Sequence, residues 1–405
     1  MGAKISSVAI RKVLDSRGNA TVEVEVATRG AFARVGAPSG ASTGATEVQA
    51  FPSGGAQEAV AVFRRKVAPK LKGRDVADQA GVDEALHRID GTPTFASVGG
   101  NTAVAASLAV ARCAASDKGV PLWAYLSKAK KPQFPAPMGN VIGGGAHAVG
   151  GTDIQEFMAF TRGCPPSKSV FANARVHHLV KQTLKENFPG QAIGKGDEGA
   201  WNVPTTDEKA MKILTKCCAK AAEETGLDVV PALDLAATEF FRDSKYRYKD
   251  KALSPDEQVD FLEMLIEAHG IKSVEDPFAE NDFSSFAELT RRVGRSCMVV
   301  GDDLFTTNTV RIARGVKERA ANAVLIKPNQ IGTLTDTMAA VKMAKEAGYA
   351  TVTSHRSAET SDDTIAHLAV AFGSAGIKTG AVGGERTAKL NELIRIEEGG
   401  RAGRR

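Results

Sequence analysis

DVVPALDLA (residues 228–236), KSVEDPF (272–278), CMVVGDD (297–303) and AVLIKPN (323–329) repeat one pattern: a short apolar, β-branched run that ends on a charged residue, followed by helical spacing. Runs of this length are too short for helices, and their near-continuous apolarity predicts strands buried on both faces of a parallel sheet. Asp234, Glu275, Asp302 and Lys327 therefore fall at or near strand C-termini. Two later runs, YATVTSHRS (349–357) and GIKTG (376–380), do the same for Ser354-His355-Arg356 and Lys378. Steps of 23 to 41 residues separate these ends, room for one strand and one helix each. The predicted fold is an α/β (β/α)8 barrel, in which such ends converge on the face where active sites are built.

A single aspartate at a strand end is ordinarily a helix cap or a loop residue. Three carboxylates at successive barrel steps, with lysines following, are harder to explain that way, because uncompensated they would repel one another and raise each other's pKa. A hard divalent cation removes the repulsion, and an all-oxygen donor set with room for water and substrate favours Mg²⁺.

The bulk numbers set limits on the remainder. At 405 residues the chain has room for a barrel and an appended domain. Its 52 Lys+Arg against 47 Asp+Glu are interspersed, which is not a nucleic-acid footprint, and Arg401, Arg404 and Arg405 read as a solvated tail. Five cysteines show no metal-ligand spacing, and an odd count argues against a disulfide framework. No segment has the length of a signal peptide core or a membrane span. The expectation is a cytoplasmic enzyme with no nucleic-acid or membrane partner.

Ahead of the barrel, alternation over Lys4 to Val13, Ala20 to Thr28 and Ala31 to Ala37 predicts a three-stranded meander. The small, glycine-rich stretch 38–44 after it is flexible enough to fold over a ligand. Helical spacing then runs over Gly55 to Lys72, Val76 to Ile89 and Asn101 to Lys118. Strands followed by helices make an α+β unit. The Lys- and Pro-rich stretch 128–137 marks its end, giving an N-terminal domain of 1–130 and a barrel domain of 131–405. Within the latter, His147 follows a glycine run, Gln155-Glu156 lie in an apolar run where a carboxylate needs a partner, and Asp197-Glu198 sit on a glycine-rich loop. His177-His178, in a helical pattern, read as surface or packing residues.

Taken together, DSRGNATVEVE (15–25), PSGASTG (38–44), GGGAHAVGGTDIQEF (143–157), GDEGAW (196–201), SVEDPF (273–278), VGDDLFTTN (300–308), LIKPNQIGTLTDT (325–337), SHRSAETSDDTIA (354–366), IKTG (377–380) and GGERTAKLNELIRIEE (383–398) resemble enolase, the phosphopyruvate hydratase family, along essentially the whole chain. The GGGAH and C-terminal versions resemble archaeal members. The resemblance implies reversible dehydration of 2-phosphoglycerate to phosphoenolpyruvate with two Mg²⁺ per site, the second arriving with substrate. It also implies a modified barrel that begins with two strands and then two helices.

By the same resemblance, Asp234, Glu275 and Asp302 match the ligands of the first Mg²⁺, and Ser42 matches the residue that completes the second site. Lys327 matches the general base, and Glu198 the general acid with Glu156 beside it. Gln155, His147, Glu156, Lys327, Lys378, Arg356 and Ser357 match groups around the substrate, the last two at its phosphate. Lys327 must be neutral to act, which nearby cations favour; Glu198 must be protonated, which Glu156 favours. Ala358 departs from a family glycine and would be strained if its φ were positive. Changes at 382–384 bear on subunit contacts, so homodimer and octamer, a dimer-based assembly, both stay open. Two alternatives also stay open: a superfamily dehydratase, racemase or cycloisomerase acting on a non-phosphorylated acid, and a binding protein without turnover.

Overall fold

The computed structural model describes residues 2–40, 43–127, 129, 131–148 and 150–402. At its start β1 (Ser7–Leu14), β2 (Ala20–Ala27) and β3 (Phe32–Gly36) form the antiparallel meander, with Ile10 opposite Val24 and Val24 opposite Val35. These inward valines and isoleucine meet the helix Gly100–Asp117, whose alanines let it lie close against β2 and β3. The helix expected over Gly55 to Lys72 is broken: Gly55–Val62 passes through a π turn, Phe63–Val67, before Ala68–Leu71. Pro69 explains the break, since it brings no N–H to the ladder and its ring displaces the preceding turn.

The barrel strands are β4 (Ala136–Gly143), β5 (Glu156–Arg162), β8 (Asp228–Asp234), β12 (Ser273–Glu275), β13 (Met298–Gly301), β14 (Ala323–Ile326), β15 (Ala350–Ser354) and β16 (Gly376–Lys378). Between them lie the short pairs β6 (Gly194–Lys195) and β7 (Trp201–Asn202), and a small side sheet of β9 (Phe241–Arg242), β10 (Lys245–Arg247) and β11 (Ala252–Leu253). The circuit β4-β5-β8-β12-β13-β14-β15-β16 closes through the pairing of β16 with β4. Helices Pro166–Asn187 and Asp207–Thr225 follow β5 before the regular alternation begins, the two-strand, two-helix opening that the resemblance implies.

Strand β5 runs antiparallel to both neighbours, and this places the site. Its first residue, Glu156, pairs with Asp234, the last residue of β8, so a strand start and the other strands' ends share one mouth. Met138, Met158, Phe160, Ala232, Val300, Leu325 and Val352 fill the barrel below that mouth. Buried apolar surface contributes about 25 cal/mol per Å², so this filling fixes the rim above it.

Candidate active site

Asp234 and Glu275 end β8 and β12, while Asp302 and Lys327 directly follow β13 and β14, as the charged ends of the four runs predict. All four are packed into the C-terminal mouth with Lys378, the last residue of β16. The Lys378 ammonium donates to Asp234 Oδ2 at 2.8 Å and to Glu275 at 2.9 and 2.8 Å, and lies 3.1 Å from Glu156 Oε1. Lys327 Nζ donates to Asp302 Oδ2, whose other oxygen accepts from Gln330 Nε2 at 2.9 Å.

Asp276 and Asp303 were not singled out by the sequence and belong to this bed. With φ of 39°, Asp276 turns its carboxylate to accept the backbone N–H groups of Asp302 and Asp303 at 2.9 and 2.8 Å. Positive φ in a non-glycine residue costs of order 1–3 kcal/mol and persists where surroundings enforce it. Glu198 is held the same way, at φ 64°, on the turn before Gly199. Its Oε2 accepts from Asn140 Nδ2 at 3.3 Å and its Oε1 lies 3.1 Å from His355 Nε2. Arg386, fully buried on the C-terminal helix, donates to His355 Nδ1 at 2.7 Å. Because a guanidinium can only donate, that bond leaves the His355 proton on Nε2, facing Glu198.

The charges sort themselves accordingly. Burial holds His355 down to about 4, so it is neutral near pH 7. Burial, and then Glu198 beside it, push Glu156 well above the usual carboxylate range. Burial alone would raise Glu198 too, but His355, His147 and Arg386 outweigh it and hold it low. The sequence expectation placed the raised pKa on Glu198; the raised one is that of Glu156, and Glu198 is lowered because the imidazoles and the arginine face it. Lys327 also departs from expectation. Burial lowers it, yet the Asp302 carboxylate reverses this and leaves it raised.

Several buried polar atoms here have no partner among the described residues: Gln155 Oε1, Glu156 Oε2, His147 Nδ1 and Ser357 Oγ. His147 Nδ1 lies 3.5 Å from Glu156 Oε1, and ligand atoms of His147, Glu156 and Glu198 lie within 4.8 Å of one another. Arg356 is held by Glu47 and Asn329, both its Glu47 contacts at 3.0 Å. Of the predicted set, Ser42 alone lies outside the described residues. Ser39 and Ala358, exchanging backbone bonds of 2.8 and 2.9 Å, dock the loop's start against the Arg356-Ser357 segment. Ala358 is not among the positive-φ residues, so the strain foreseen there does not arise.

The donor set suits hard divalent cations. Glu156, Glu198, Asp234, Asp276, Asp302 and Asp303 line the mouth against the cations Lys327, Arg356 and Lys378. Burial, and then crowding by neighbouring carboxylates, raise Glu156, Glu275, Asp276 and Asp303, the last to about 7. An excess of desolvated oxygen anions is what Mg²⁺ offsets. Asp276, Asp302 and Asp303 also bring ligand atoms within 4.8 Å of one another. The open space is about 30 Å³, roughly one water. A larger cavity of about 710 Å³ at the other barrel end, beside Arg162, Lys272 and Arg295, holds none of the predicted residues.

A β/α barrel with an acid bed suited to divalent cations, and with a lysine and a glutamate set around it, fits the class of metal-assisted enzymes that remove a proton next to a carboxylate. Residues 5–126 match the family model "Enolase, N-terminal domain" and residues 131–402 match "Enolase, C-terminal TIM barrel domain". Curated enolases are similar over nearly the full length: 52% identical for Natronomonas pharaonis (97% of this chain, 98% of that one), 51% for Halobacterium salinarum (98% and 99%) and 49% for Methanothermobacter thermautotrophicus (98% and 97%). The chain belongs to the enolase family, and its reaction is the Mg²⁺-dependent, reversible dehydration of 2-phosphoglycerate to phosphoenolpyruvate.

Proposed function

We infer that Lys327 takes the proton from C2 of 2-phosphoglycerate and that the Glu156/Glu198 pair returns its single proton, through Glu198, to the departing C3 hydroxide. What supports this is the gathering of Lys327, Glu198 and the unpartnered atoms of Gln155, Glu156, His147 and Ser357 in one enclosed mouth. Asp234, Glu275 and Asp302 would hold one Mg²⁺ and Ser42 would help complete a second that arrives with substrate. The two ions supply positive charge where the substrate carboxylate gains negative charge.

Lys378, buried and raised well above the ordinary lysine range by Asp234, Glu156 and Glu275 against the effect of burial, keeps its charge and steadies that carboxylate. Arg356 and Ser357 bind the phosphate, with His147 and Gln155 beside them. Lys327 loses the support of Asp302 once that carboxylate is otherwise engaged, and burial with Arg356 and Lys378 then favours its neutral form. His355, whose Nε2 lies 3.1 Å from Glu198 Oε1, keeps that side chain aimed into the mouth.

The division into 1–130 and 131–405, a cytoplasmic location and a homodimer or dimer-based octamer complete the reading; sedimentation mass separates the two assemblies. With Mg²⁺ and 2-phosphoglycerate, the ultraviolet absorbance of the enol phosphate should rise. A folded preparation that produces none, and consumes no phosphoenolpyruvate in reverse, would sink the assignment.

A further inference from the structure

Glu47 comes from the N-terminal unit and meets the barrel at the arginine assigned to phosphate. It lies just past the glycine-rich loop, with the Gly44 N–H donating to its Oε1 at 3.2 Å. Arg356 takes both its oxygens, NH1 on Oε2 and NH2 on Oε1 at 3.0 Å each, in a pair whose side chains are 3% and 7% exposed. Two parallel bonds fix the plane of a guanidinium as well as its place. Asn329 Oδ1 accepts a further NH1 bond at 3.0 Å. Gln330 Nε2 bridges Glu47 Oε1 at 3.3 Å and Asp302 Oδ1 at 2.9 Å, so one amide joins the pair to the acid bed.

We propose that Glu47 is a positioning residue that sets the plane of the Arg356 guanidinium for the substrate phosphate and ties that setting to the end of the glycine-rich loop at Gly44. This rests on Arg356 being a phosphate-binding residue. Asp302 and Asp303 also attract Arg356. Without Glu47 the buried guanidinium turns toward them and away from the phosphate. The loss falls on substrate binding, while Lys327 and Glu198 keep their places.

The test measures KM and kcat for 2-phosphoglycerate at saturating Mg²⁺ in Glu47→Gln, Glu47→Asp, Arg356→Ala and the Glu47→Gln/Arg356→Ala double variant, with thermal melts to establish folding. Glu47→Gln should raise KM by ~10-fold or more with kcat within ~3-fold, the signature of lost uniform binding. Glu47→Asp, keeping the charge, should raise KM less. In the Arg356→Ala background, Glu47→Gln should add nothing, as for two residues acting as one unit. An unchanged KM in Glu47→Gln, or KM increases that multiply in the double variant, overturns the proposal. Should Glu47→Gln not fold, an unchanged KM in Glu47→Asp overturns it equally. An Arg356→Ala single variant with unaltered KM instead removes the phosphate role of Arg356 itself.

Discussion

Lys327 carries the heaviest demand of any single residue, because it must be buried, charged at rest and neutral when it acts. Its ion pair with Asp302 explains the first two conditions. Replacing it with alanine removes the base and leaves the Asp302 carboxylate without its lysine partner, and kcat should fall by ~10²–10⁴-fold, the usual worth of a positioned base. Steady-state turnover of a folded Lys327→Ala protein checks this, and near-normal kcat would take Lys327 out of the role. The sequence made Lys327 visible because a charge ending an apolar run is conspicuous. Glu47, Asp276 and Arg386 went unassigned for the opposite reason. Glu47 stands after a loop, Asp276 beside a better candidate, and Arg386 in a helix full of charges, so each acquires meaning only through a partner distant in the chain or a backbone angle.

At the scale of elements, the strained Glu198 turn is braced by the helix Pro166–Asn187. His177 on that helix bonds through Nε2 to the Gly199 carbonyl at 2.9 Å, and its ring packs 4.8 Å from that of Trp201 on β7. Its carbonyl also accepts the Trp201 indole N–H at 2.9 Å. The packing role expected of His177 is thus what is found, and it is directed at the loop that carries Glu198. Burial lowers the His177 pKa from 6.5 to about 4. A group depressed in the folded state contributes stability that is intact above its unfolded pKa and lost as pH falls. The window here runs from pH 6.5 down toward about 4. A His177→Gln variant should therefore lose less melting temperature than its parent between pH 7 and 4.5, as thermal melts at the two pH values would show. Equal losses would mean that His177 takes no part in the acid sensitivity. The π turn at Phe63–Val67 shows the limit of periodicity: apolar spacing carried through Pro69, but the hydrogen-bond ladder did not.

In the molecule as a whole, the mouth gathers more carboxylates than cations, and the fold bears that repulsion in order to keep the site ready. Mg²⁺ binding to the folded state alone should raise the melting temperature, by the equivalent of ~2.7 kcal/mol at a hundred times its Kd. Asp234→Asn combined with Glu275→Gln should abolish the rise, which melts at constant ionic strength would reveal. A rise that survives the double change would place the ion elsewhere. The sequence by itself determined the barrel, the meander ahead of it, and the charges that end the strands, because short-range periodicity and strand ends are local properties of the chain. Only the tertiary structure decided which way β5 runs, which carboxyl of the Glu156/Glu198 pair has the raised pKa, and that Glu47 reaches across from the N-terminal unit to Arg356. Those outcomes depend on burial and on charges brought together from far apart in the chain, and no local pattern encodes the distance between them.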